Sequence, residues 1–211
     1  MIVALDSSSN DQSVALADPE GRPLGATAWT AGRGQGGELL PRLLELLDQR
    51  GATLRDVGGV AVGIGPGSFT GLRVGLALAK GLAAGLGCPI VGIRSLDAWL
   101  AAVPEADAAL TRAGAAEVYA LARDQADPQV VPFAALSATL RARPVVAPRD
   151  LTLTLGLTRA QPPDAAAGAV ARLAVERMAT GSADDIALLE PVYLRPPRGL
   201  GDAAPAPITW L

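Results

Sequence analysis

Histidine is absent from this chain. That one absence removes Ser–His–Asp triads, Cys–His dyads, HExxH zinc sites and any histidine general base. Cysteine occurs once, as Cys88, which excludes an internal disulfide framework and a cysteine zinc cluster. Aromatic residues make up 3% of the chain, so the core must be built from Ala, Leu, Val and Gly with few large anchors. Basic residues are not in excess. The net charge is −3 and the pI about 5.0, unlike the basic footprint of a domain that binds nucleic acid alone. Unbroken apolar runs are short of the ~18 residues of a membrane span, and no basic region followed by an apolar run opens the chain. The longest apolar stretch, Val74 to Gly87, is interrupted by Lys80. These absences predict a soluble, cytoplasmic protein.

What is present is 211 residues, 50% of them hydrophobic, enough for one large domain or two small lobes. Ile2–Leu5 reads as a buried strand ending at Asp6. SVALAD and RPLGATAW flank the turn Asp18-Pro19-Glu20-Gly21 and predict a hairpin. GELLPRLLELLDQRG predicts a helix with Pro41 in its first turn and Gly51 as its stop. Its leucines cover an arc of roughly 160°. Leu40, Leu44 and Leu47 could face the home sheet with Leu39, Leu43 and Leu46 nearer a second surface, or the whole helix could be buried. GGVAVGIG and CPIVGI read as buried strands, and SLDAWLAAV as a helix capped by Ser95. The first hundred residues therefore read β-β-β-α-β-α-β-α, an α/β layout with a mixed sheet.

Beyond Pro104 the pattern is weaker. EVYALARD and RPVVAP suggest strands, AAAGAVARLAVERMATG a helix closed by Gly181, and EPVYLRPP a last short strand. The expected organisation is a first lobe over 1–100, a smaller second lobe over 101–195, and a proline-rich tail over 196–211.

Between Gly63 and Gly87 a glycine loop runs into a helix-length segment holding Gly71, Gly75, Gly81 and Gly85. Each internal glycine costs a helix about 1 kcal/mol against alanine, so close approach to another backbone is the expected compensation. The four glycines project within roughly 120°, with Arg73 and Lys80 opposite. The loop, with Gly65 and Gly67, resembles a phosphate cradle at a helix N-terminus, although it lacks the lysine of a Walker A loop. Ser68 and Thr70 serve equally as plain N-caps. Asp6 and Ser7, after the first strand, suit either a magnesium or phosphate site or a capped strand end.

GIGPGSFTGLRVGLALAKGLA closely resembles the signature of the TsaB (YeaZ) family, bacterial factors for threonylcarbamoyladenosine formation in tRNA. IVALDSSS, SVAL, ELLPRLLELL, PIVGIRSL, EVYA and LEPVYLR match in order. The resemblance is strong over residues 1 to about 100. It implies a two-lobed actin-like ATPase (ASKHA, ribonuclease H-like) α/β fold. It also implies a non-catalytic subunit that pairs with the catalytic subunit TsaD, joined by the ATPase TsaE, and that forms homodimers alone. The implied pairing surface is the leucine helix 39–50 and the glycine helix 70–86, with Leu39, Leu43, Leu46, Phe69, Arg73, Leu76, Ala77 and Lys80. tRNA is reached only through the complex. No metal is expected to be held firmly, and ATP, ADP or magnesium at most weakly. An ASKHA-type kinase and a freestanding homodimeric interaction protein are the alternatives.

The chain departs from the family pattern in three places. Gln35 or a neighbouring glycine stands where many relatives have histidine. Arg112 and Gly114 replace an Asp-Ala-Arg-like segment before EVY, and APRD replaces a glycine-rich segment. These departures weaken the case for a nucleotide site between the lobes.

Overall fold

The computed structural model describes residues 1–32 and 37–194; Gln35 and the tail 196–211 lie outside the described residues. Two five-stranded sheets organise the chain. The first joins β1 (Ile2–Asp6), β2 (Asp11–Ala17), β3 (Pro23–Thr30), β4 (Gly59–Gly63) and β5 (Ile90–Ile93) in the order β3-β2-β1-β4-β5. β2 is antiparallel to β1 and β3, while β4 runs parallel to β1 and β5.

The two faces of this sheet differ in the size of their side chains. Strand alternation sends Val3, Leu5, Val14, Leu16, Val60 and Val62 to one face. There they meet α1 (Leu39–Asp48) and α2 (Phe69–Leu86). The opposite face carries Ile2, Ala4, Ala15, Ala17, Ala61 and Val91. Small residues there let an alanine-rich helix, α6 (Ala166–Ala179), come down on the sheet through Ala167, Val170, Ala171 and Ala174. β1, β2, β4 and β5 are buried throughout because helices cover both faces. β3 is the edge and alternates towards solvent.

The second sheet contains β6 (Ala108–Arg112), β7 (Glu117–Ala122), β8 (Gln129–Pro132), β9 (Val145–Val146) and β10 (Ala160–Gln161), ordered β8-β7-β6-β9-β10. Counted from its own first strand, that order is three, two, one, four, five, as in the first sheet. The antiparallel and parallel pairings repeat as well. This duplicated topology is the actin-like ATPase, ribonuclease H-like fold. α3 (Ser95–Ala102) packs one face of the second sheet, where Trp99 is fully buried with Leu121 and Val146. Leu151 and Leu155 of α5 (Arg149–Leu155) cover the other, after the short α4 (Ala138–Ala142). The chain then returns to the first sheet as α6.

Three local expectations are corrected. Arg94, not Ser95, occupies the N-cap of α3, and the Ser95 hydroxyl instead accepts a hydrogen bond from the Gly65 N–H at 3.0 Å. EPVYL joins no sheet ladder among the described residues; it runs as a strap held at Val192, whose N–H donates to the Ile64 carbonyl at 2.7 Å. The glycine face of α2 also divides: Gly71 and Gly75 are buried, whereas Gly81 and Gly85 are exposed with open space beside them. By length and composition α2, with 18 residues and a mean hydropathy of 1.2, is apolar enough to cross a membrane. Here it lies along the first sheet through Leu72, Leu76, Ala79 and Ala83.

Candidate functional site

The glycine signature folds onto the turn that follows β1. A β-carbon on Gly67 would overlap the Ser8 carbonyl, one on Gly71 the Ser7 carbonyl, and one on Gly75 the Ser7 hydroxyl. The Ser7 hydroxyl donates to the Gly71 carbonyl at 2.8 Å. The close approach of the Ser7 carbonyl to Gly71 and of the Ser7 hydroxyl to Gly75 is what offsets the helix cost of these two glycines.

Several of the N–H groups at this loop and helix start, those of Gly65, Ser68 and Gly71, are engaged by protein groups. The Ser68 N–H donates to the Ser8 carbonyl at 2.7 Å. Ser68 then caps α2, its hydroxyl accepting from the Gly71 N–H at 3.2 Å. Gly65 holds φ at +93°, and its N–H is taken by Ser95. Gly65 and Gly67 thus serve close packing within the fold, and the cradle reading of this loop finds its place filled by the Ser8 carbonyl.

Asp6 and Ser7 are sealed in the same cluster, with no exposed surface. Asp6 Oδ1 accepts from the Ser8 N–H at 3.2 Å and from the Ser8 hydroxyl at 2.7 Å. Its Oδ2 is pressed against Gly63 and makes no hydrogen bond among the described residues. Burial pushes the Asp6 carboxyl above its ordinary range, against the opposing pull of Ser8, Ser95 and Trp99. In this conformation a metal ion or phosphate cannot touch either residue. No group of three or more candidate metal-ligating side chains occurs among the described residues.

The outward face is different. Phe69, Arg73 and Ala77 form an exposed line along α2, and Lys80 is half-buried, its Nζ donating to the Ala187 carbonyl at 3.4 Å. Leu76 is buried against the sheet. On α1 the expected faces are reversed except at Leu47, which is buried on the home-sheet side as expected. Leu39, Leu43 and Leu46 are core residues, while Leu40 and Leu44 are 37% and 43% exposed. The helix phase is set by the home sheet: Leu39, Leu43, Leu46 and Leu47 pack with Val14, Leu16 and Trp29 in one cluster. Leu39, Leu43, Leu46 and Leu76 therefore support the surface from beneath. Leu40, Leu44, Phe69, Arg73 and Ala77 are the groups available to touch another molecule. Arg73 lies over the Phe69 ring at 3.9 Å and donates through Nε to the Tyr193 hydroxyl at 3.1 Å. Tyr193, missed in sequence reasoning, stands in the LEPVYLR motif.

A second cluster was also missed. Arg149, from APRD, donates through its backbone N–H and its guanidinium to Asp11 at 2.7 and 2.9 Å, and forms a bidentate pair with Asp164. Thr30 adds a hydroxyl donor to Asp11 at 2.7 Å. Arg112 pairs with Asp150 of the same APRD segment at 3.3 Å. Two of the places where the chain departs from the family pattern are thus joined by one ion pair, Arg112–Asp150, while Arg149–Asp11 ties APRD to the first sheet. The available signal was Asp11, an acidic residue opening an otherwise uncharged strand.

Residues 31–130 match the family described as "TsaD: tRNA N6-adenosine threonylcarbamoyltransferase". The "tRNA threonylcarbamoyladenosine biosynthesis protein TsaB" of Escherichia coli (strain K12) is 43% identical over 58 residues, 28% of this chain and 25% of that protein. A "tRNA N6-adenosine threonylcarbamoyltransferase" of Cereibacter sphaeroides (strain KD131) is 52% identical over 50 residues, 24% of this chain and 14% of that protein. The match therefore spans a quarter or less of these two relatives' own length. Among solved structures, "YeaZ from Pseudomonas aeruginosa" aligns over 92% of this chain and 99% of its own, with a TM-score of 0.68 and 27% identity.

Proposed function

We propose that the chain, similar in sequence to a TsaB protein and in structure to YeaZ, is a TsaB (YeaZ)-type, non-catalytic partner subunit in the formation of N6-threonylcarbamoyladenosine at position 37 of tRNAs reading ANN codons. Its partner is a TsaD-type transferase, with a TsaE-type ATPase joining the pair and tRNA reached only through the assembly, in the cytoplasm. ATP, ADP or magnesium binds the chain at most weakly. One observation carries the proposal: the signature's loop gives its Gly65 and Ser68 N–H groups to Ser95 and Ser8, while its helix presents Phe69, Arg73 and Ala77 outward. A phosphate-handling loop needs free N–H donors, and here Ser8 and Ser95 accept from the loop's Ser68 and Gly65 N–H groups. A pairing surface needs exposed aromatic, apolar and arginine side chains on a rigid base, which α1 and α2 supply together.

The test is reconstitution. The purified chain alone is expected neither to turn over ATP nor to modify tRNA. Added to the transferase and ATPase of the same genome, it is expected to restore modification. Steady ATP turnover by the chain alone, or full modification without it, overturns the proposal. Self-association over the same surface is read separately, as the oligomeric state of the isolated chain in sedimentation.

A further inference from the structure

The segment after α6 crosses the outer side of the signature helix. Asp184 starts it, its N–H donating to the Ile90 carbonyl at 2.9 Å and its carboxylate accepting from the Gly92 N–H at 2.8 Å. Arg177 pairs with the same carboxylate at 2.7 Å. Leu189 drops into the core of the first sheet, and Val192 bonds the Ile64 carbonyl. These anchors deliver Tyr193 to the end of α2. Its ring stands 5.5 Å from that of Phe69, tilted by 38°, and its hydroxyl accepts from Arg73 Nε.

Arg73 is therefore held from two sides: the Phe69 ring lies against its plane, and the Tyr193 hydroxyl fixes its Nε edge. An arginine on an exposed helix would ordinarily sample many rotamers and lose that freedom on binding. Here the geometry is set in advance. The Nη groups of Arg73 donate to no described residue, so the fork a carboxylate recognises is left open. Phe69 and Tyr193 remain 40% and 38% exposed beside it.

Resting on the pairing surface proposed above, we infer that Tyr193 is a positioning residue of that surface. It holds the Arg73 guanidinium ready for a carboxylate of the transferase. The strap over 184–193 is then part of the interface and no cover to be displaced, since Asp184, Leu189 and Val192 tie it to the first sheet.

A double-mutant cycle tests this, with the dissociation constant of the intact chain and the same-genome transferase measured by titration calorimetry for wild type, Arg73→Ala, Tyr193→Phe and the double variant. Arg73→Ala is expected to bind about tenfold more weakly and Tyr193→Phe about three- to fivefold. The double variant is expected to bind no more weakly than Arg73→Ala. Wild-type binding by Tyr193→Phe, or the same loss repeated in the Arg73→Ala background, overturns the positioning role while the pairing surface stands. Wild-type binding by Arg73→Ala overturns the surface and the positioning role together. Should Tyr193→Phe lower the unfolding midpoint, Arg73→Lys decides instead. It keeps the charge without the planar Nε–H, so weaker binding is expected and wild-type binding overturns the role.

Discussion

Arg149 and Asp11 are 138 residues apart in sequence and 2.9 Å apart in space, and they tie the second half of the fold to the first sheet. Asp11 is only 2% exposed, so its charge is tolerable because Arg149 and Thr30 meet it. Arg149 holds Asp164 with its other edge, and these two carboxylates raise the guanidinium pKa further above its usual value.

Removing the Arg149 side chain leaves the buried Asp11 carboxylate without its cation, held by the Thr30 hydroxyl and the backbone N–H of residue 149. Arg149→Ala is expected to cost about 2 kcal/mol, less than a fully buried pair because the guanidinium is half-exposed. Urea unfolding measures it, with Arg112→Ala as the exposed-pair control at under about 1 kcal/mol. Equal losses in the two variants would remove the special role of the Asp11 contact.

The divided glycine face gives opposite outcomes for one type of substitution. Gly81→Ala meets open space in an exposed helix and is expected to stabilise by about 0.5–1 kcal/mol. Gly71→Ala drives a methyl group into the Ser7 carbonyl and is expected to destabilise by about 2 kcal/mol or more. Thermal unfolding of both variants checks the pair of signs.

Adjacent leucines on α1 separate pairing from folding. Leu44→Asp is expected to weaken association with the transferase and leave the unfolding midpoint within about 2 °C of wild type. Leu43→Asp buries a charge in the first core and is expected to cost about 4 kcal/mol or more, enough to prevent folding in most hosts. Circular dichroism and titration of both chains distinguish the two effects. Full folding of Leu43→Asp would contradict the helix phase described here.

Asp6 predicts a pH dependence of definite sign. Its carboxyl is raised by burial, so between the unfolded value near 3.8 and the higher folded value the native state binds more protons than the unfolded state. Stability from this group is present below that window and declines as pH rises through it. Asp6→Asn removes the titration. The variant's stability relative to wild type is expected to grow from pH 4 upward, as read by unfolding at a series of pH values. A constant difference across that range would show that Asp6 does not titrate in this way.

The types of most first-lobe elements were legible because their signals are local. Continuous apolar runs marked β1, β4 and β5, and leucine spacing with Gly51 marked α1. The signature's glycines pointed to close approach, and Gly71 and Gly75 make it. Beyond residue 100 the local signals marked β7, β9 and α6 but missed other elements. β6 is alanine-rich with little intrinsic strand preference, and exists because β7 and β9 flank it. LTLTL alternates with a strand's period, yet it lies in α5, where Leu151 and Leu155 are buried, Leu153 is exposed, and Gly156 at φ +61° ends the helix.

By itself the sequence determined the order and kind of most elements and the exclusion of histidine and cysteine chemistry, because composition and periodicity are properties of the chain alone. Tertiary structure decided the rest: which leucines of α1 face inward, which glycines of α2 are pressed against Ser7, where α6 lands, and how Arg149 reaches Asp11 and Tyr193 reaches Arg73. Periodicity states that a helix has an apolar side but not the rotation at which it docks. That angle, and every pairing across a hundred residues, is set by contacts with elements distant in sequence.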